Sequence, residues 1–91
     1  MGSVYDYPAF MIILSDMARE MQLVGARIAA TRKALGLTQI ELGELAGISY
    51  RPVYLIESGR SIRLDSLVRI CDVLGLEVAL TPRGGMRLDG S

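Results

Sequence analysis

The chain has 91 residues, enough for one small domain and too few for two independent cores. Ten basic residues balance ten acidic ones, histidine is absent and cysteine occurs once, at Cys71. These counts exclude an internal disulfide, a cysteine-built zinc site and any chemistry that needs histidine. The longest apolar run, Ala9 to Leu14, is too short to span a bilayer and lacks the basic start of a signal peptide. The expectation is a soluble cytoplasmic protein with no membrane contact, no metal and no cofactor. The neutral balance argues mildly against nucleic acid. It is uneven, however. From Arg19 to Arg63 seven basic residues face four acidic ones, so a local basic face is compatible with zero net charge.

In chain order, Asp6-Tyr7-Pro8 reads as a helix start, with Asp6 as cap and Pro8 in the first turn. Phe10, Leu14, Met17, Met21, Val24, Ile28 and Leu35 then recur every three to four residues. That is a helical stripe. Ser15-Asp16 can cap a fresh start, so a break or kink is expected there. Gly36 closes the helix. Two short helices follow, about Gln39–Ala46 and Tyr50–Ser58, joined at Gly47. Thr38 and Ser49 stand where their side chains can cap them. Pro52 falls in the first turn of the second, where a missing N–H costs nothing. Leu42, Ala46, Ile48, Val53 and Ile56 are spaced to point inward across the bend. Helices of this length cannot stand alone in water, so the rest of the chain must close their core. Two helices meeting steeply at a glycine turn form a helix-turn-helix.

After a polar loop, Leu64 to Leu74 makes a further helix with Leu67, Ile70, Cys71 and Leu74 inward and Gly75 as its end. The period then changes to two. Leu76, Val78 and Leu80 alternate with polar or small residues until Pro82. A lone strand cannot satisfy its own backbone. Pairing with the same strand of a second copy is the economical solution, which makes Leu76, Val78 and Leu80 the expected dimerisation residues. Residues 1–20 are then an N-terminal extension, 21–75 the helix-turn-helix domain, 76–83 the dimerisation strand and 84–91 a mobile tail.

No phosphate-cradling glycine loop, nucleophile motif or ligand cluster supports an enzyme. Cys71, on an apolar helix face, reads as a core residue. DNA binding has more support. In a helix-turn-helix the start of the second helix enters the major groove. Here that start is Ser49, Tyr50 and Arg51. Arg51 can donate two hydrogen bonds to guanine. Tyr50 can meet a phosphate or base edge, Tyr54 shares its face, and Leu55 can touch a thymine methyl. Thr38 and Gln39, opening the preceding helix, suit a phosphate.

Arg32-Lys33-Ala34-Leu35-Gly36-Leu37-Thr38-Gln39, Glu41-Leu42, Ala46-Gly47-Ile48-Ser49 and Glu57-Ser58-Gly59-Arg60 resemble the Cro/C1-type helix-turn-helix family, the lambda-repressor-like fold. The resemblance covers about Val24 to Leu76. The helix closed by Leu74-Gly75 and the alternating strand that follows resemble its HipB-like branch. The resemblance implies a mainly α fold of four to five helices with a C-terminal β-strand pairing across a homodimer. It implies a repressor on a near-palindromic DNA operator, and for this branch an antitoxin with a kinase-like toxin partner that represses its own operon. It assigns phosphate contact to Thr38 and Gln39, base reading to Tyr50, Arg51 and Leu55, and a largely buried salt bridge to Arg32 and Glu57. Two alternatives stay open: a stand-alone phage-type repressor, and an interaction adaptor that keeps the fold without DNA binding. The neutral charge and the apolar Ile40, Leu45 and Leu55 lean toward the adaptor. Gly43 stands where alanine is common in the family and is expected to loosen its helix by up to about 1 kcal/mol.

Overall fold

The computed structural model describes the backbone of residues 9–80 and the side chains of residues 17–80. Four helices occupy them: α1 Ala9–Ala34, α2 Gln39–Ala46, α3 Tyr50–Glu57 and α4 Leu64–Leu74. The expected starting cap at Asp6 and the tail from residue 84 lie outside the described residues. α1 is one unbroken helix of 26 residues, so the break expected at Ser15-Asp16 is absent. Cap-forming residues are tolerated inside a helix when the turns on both sides continue it, and no proline forces an end there.

The ends of α2 follow directly from its chemistry. The Glu41 N–H donates to Thr38 Oγ1 at 3.0 Å, and the Thr38 N–H donates to Glu41 Oε1 at 2.8 Å. This reciprocal capping box satisfies two donors at once. Gly47 closes α2 at φ 72°, a left-handed conformation that favours glycine. Ser49 occupies the N-cap position of α3, but its side chain makes no capping hydrogen bond, contrary to expectation. α3 ends at Glu57, one residue before the expected Ser58.

The core is the set the periodicity points to. Leu42, Val53, Ile56 and Ile70 are fully buried with Ile28, while Leu67, Cys71 and Leu74 complete the α4 contribution. Ile48, Val24, Leu37 and Ile62 pack around them. Burying each large aliphatic side chain is worth about 1.5–3 kcal/mol relative to exposure. Burial lifts the Cys71 thiol above its ordinary pKa, helped by the nearby Asp72 carboxylate, so the residue stays protonated and apolar. Two expected stripe members depart from the pattern: Met17 is 51% exposed and Leu35 is 55% exposed. Met17 lies in a turn, Met17–Glu20, whose residues are all exposed, and Leu35 follows the last turn of α1.

Two glycines let helices approach where side chains would block them. A Cβ on Gly25 would fall well inside contact distance of the Ile56 carbonyl oxygen and 2.8 Å from that of Glu57. α1 therefore crosses α3 backbone to backbone. A Cβ on Gly43 would stand 3.0 Å from the Ile48 oxygen and 3.1 Å from the Ser49 oxygen. Gly43 thus serves the close return of the α2–α3 turn, a role its low helix propensity does not disclose.

Residues Leu76–Leu80 form no strand pairing within the described residues. Leu76 is partly buried against the core, whereas Val78 is 44% and Leu80 97% exposed.

Candidate nucleic-acid interface

The position of α3 is fixed from beneath by one ion pair. Arg32 Nε donates to Glu57 Oε2 at 2.6 Å and Nη2 donates to Oε1 at 3.0 Å. This is the bidentate geometry that arginine and carboxylate share. The side chains are only 10% and 6% exposed. Arg32 Nη1 also donates to the Leu37 carbonyl at 2.7 Å. The hydrogen bond to Glu57 raises the Arg32 pKa above its ordinary value; burial works against it and the Glu57 charge adds to it. One guanidinium therefore ties the end of α1 to the α1–α2 loop and to the last turn of α3.

Gln39 joins this lock. Its Nε2 donates to Glu57 Oε1 at 3.1 Å. The sequence offers Gln39 to a phosphate, and the structure gives its amide nitrogen a partner inside the protein. Thr38 remains exposed, with its hydroxyl engaged in the capping box. The Gln39 and Ile40 N–H groups, first in the helix, have no intrahelical acceptor by geometry. They point at the same end where the Glu41 carboxylate already sits, so the positive helix terminus is partly neutralised.

The starts of α2 and α3 share one surface. A shallow depression of about 530 Å³ is lined by Thr38, Gln39, Ile40 and Tyr50 together with Arg32 and Leu37. Next to it Ser49, Tyr50 and Arg51 are all exposed. Tyr50 and Tyr54 face each other one turn apart, ring centroids 6.4 Å apart and tilted by 49°. Tyr54 and Leu55 are half-buried, so they offer less surface than the residues at the helix start.

One residue of this surface was not singled out from sequence. Arg60 places its guanidinium 5.9 Å from the centroid of the Tyr54 ring. Its N–H donates to the Leu55 carbonyl at 3.0 Å, which curls the loop back toward α3. A cation over an aromatic ring contributes about 0.5–1 kcal/mol when exposed. The sequence signal is the pair Gly59-Arg60: Gly59, at φ 71°, turns the chain just after α3.

Among the described residues no group of acidic or thiol side chains is arranged to hold a metal ion. No described helix is long and apolar enough to cross a membrane. The exposed start of α3 beside the start of α2 is the arrangement by which a helix-turn-helix presents residues to a major groove. None of the curated proteins matches this chain. A family model described as helix-turn-helix matches residues 28–80, more than half of the chain, and supports a DNA-binding transcription regulator. By that match and by the geometry of α2 and α3, the chain belongs to the Cro/C1-type helix-turn-helix family.

Proposed function

We infer that the chain is a sequence-specific repressor that binds a near-palindromic DNA operator as a homodimer. The observation that carries the reading is the exposed first turn of α3, Ser49-Tyr50-Arg51, set beside the exposed Thr38 of α2. Arg51 reads a base, Tyr50 and Tyr54 line the groove, Leu55 contributes an apolar edge, and Thr38 with the α2 backbone amides meets phosphate. The Arg32–Glu57 pair holds α3 at the angle that makes this possible. Leu76, Val78 and Leu80 form the dimer strand, which places two α3 helices about 34 Å apart on successive major grooves. Such a dimer blocks transcription by occupying its site. The HipB-like resemblance of residues 64–83 supports an antitoxin that binds a kinase-like toxin. A stand-alone phage-type repressor has the same DNA chemistry without that partner.

The test is Arg51→Ala on the full chain, with a duplex selected from random sequence and a scrambled control. A good bidentate base contact is worth about 1–3 kcal/mol. Affinity for the selected duplex should fall roughly 5- to 150-fold and affinity for the control much less. Equal losses on both would remove Arg51 as a base reader.

The adaptor reading has one observation in its favour. Ile40 and Leu45 on α2 are 60% and 62% exposed, so they do not serve the core. An adaptor would bind no duplex at any salt concentration, whereas the repressor's affinity falls steeply as salt rises.

A further inference from the structure

Among the described side chains, the domain covers α1 toward its C-terminal end. Ile28 is 2% exposed, Val24 packs against the core, Met21 is half-buried and Met17 is 51% exposed. Every residue of the turn Met17–Glu20 is exposed. Positions 28, 24, 21 and 17 step by four, three and four, the alternation of a coiled-coil seam. The sequence continues that step through Leu14 and Phe10, inside the apolar run Ala9–Leu14. α1 itself continues to Ala9. Among the described side chains the seam is therefore buried at Ile28 and exposed at Met17.

Ala9 to Met21 spans about 18 Å at the helical rise. Most helical stability in proteins comes from packing an apolar face, so this part of α1 gains from a partner that covers its seam. We propose that this projecting part of α1 is a homotypic docking arm, its seam packed against the same seam of a second copy. The inference rests on the homodimer reading and adds a second contact to it.

Three observations favour a second copy over another occupant. A four-three seam meets a like seam as knobs into holes, and a two-fold contact uses the same patch on both partners. The seam positions Phe10, Leu14, Met17 and Met21 carry no charge, so the seam itself offers no field to a charged partner. At its base lies a groove of about 390 Å³ whose lining includes Val24, Ile28, Leu76 and Val78 together with the charged Arg27 and Glu77. That groove sets the stretch of α1 just past the arm beside the C-terminal segment.

The test is sedimentation equilibrium on the full chain with Met17→Glu, Arg19→Glu and Val78→Pro made separately. Met17 is exposed in the single chain, so a charge there leaves the core intact, which far-UV circular dichroism checks. Arg19 lies on the face of α1 opposite the seam. Met17→Glu should weaken the dimer at least tenfold, Met17→Leu should preserve it, and Arg19→Glu should leave it unchanged. A Met17→Glu chain that dimerises like wild type overturns the arm, as does an equal loss from Arg19→Glu. If Val78→Pro alone abolishes the dimer, the strand reading stands without the arm. If Met17→Glu abolishes it and Val78→Pro does not, the arm stands without the strand. A wild-type chain that is monomeric at every concentration overturns both.

Discussion

Glu57→Ala should cost about 3–5 kcal/mol of folding stability, the expected loss when one partner of a buried ion pair is removed. The variant strands the Arg32 guanidinium, which is 10% exposed, with only the Leu37 carbonyl as acceptor. It also deprives Gln39 Nε2 of its acceptor. Arg32→Ala should cost a similar amount, because it leaves the Glu57 carboxylate buried with Gln39 alone. For a chain of this size 1 kcal/mol moves Tm by roughly 4–8 °C, so losses of 12 °C or more are expected in calorimetry. The informative comparison is the double variant Arg32→Met/Glu57→Leu. Replacing both charges with apolar groups of similar volume is often neutral or stabilising. Recovery of Tm in the double variant, with DNA affinity still reduced, would show that the pair positions α3 rather than stabilising the fold. A single variant that melts like wild type would show that the pair is solvated.

Gly25→Ala should destabilise the domain although it replaces glycine inside a helix. On propensity alone the change gains about 0.5–1 kcal/mol. The added Cβ, however, meets the Ile56 and Glu57 carbonyl oxygens, which are backbone atoms and cannot rotate away. α1 must move off α3, and overpacking of this kind costs about 1–3 kcal/mol and occasionally more. The displacement also pulls Arg32, two turns further along α1, away from Glu57. A net loss of roughly 1–3 kcal/mol or more is expected in urea unfolding, with Gly25→Val worse. A more stable Gly25→Ala would mean that α1 and α3 do not cross at this distance.

The two predictions separate what the sequence discloses from what only packing reveals. The limits of α2 and α4 were legible because their ends are chemical: Thr38 opens α2, and Gly47 and Gly75 terminate α2 and α4 in left-handed conformations. The core of α2, α3 and α4 was legible because burial repeats at the helical period. The Arg32–Glu57 pair was legible only through family resemblance, since nothing local joins residues 25 positions apart. Gly25 was not legible at all: a glycine inside a helical stripe reads as a weakness until α3 is laid across it. The continuity of α1 through Ser15-Asp16 was obscured because cap-forming residues signal a start even where the helix runs on. Within the candidate interface, Ser49 to Arg51 fell where the motif puts them. Gln39 also opens α2 as the motif places it, and the hydrogen bond of its amide nitrogen to Glu57 was not legible in the sequence. Arg60 was hidden because its approach to Tyr54 depends on how the chain turns after Gly59.

The central claim is that α3 reads DNA from its first turn with α2 beside it on the backbone. It is tested most directly by backbone amide chemical shifts of the full chain titrated with a duplex selected from random sequence. The account predicts that the largest changes cluster at Thr38 to Ile40 and Ser49 to Leu55, extend to Arg60, and spare Met17 to Glu20 and Val78 to Leu80. Changes confined to α1 or the C-terminal segment, or no saturable change at low salt, would contradict it.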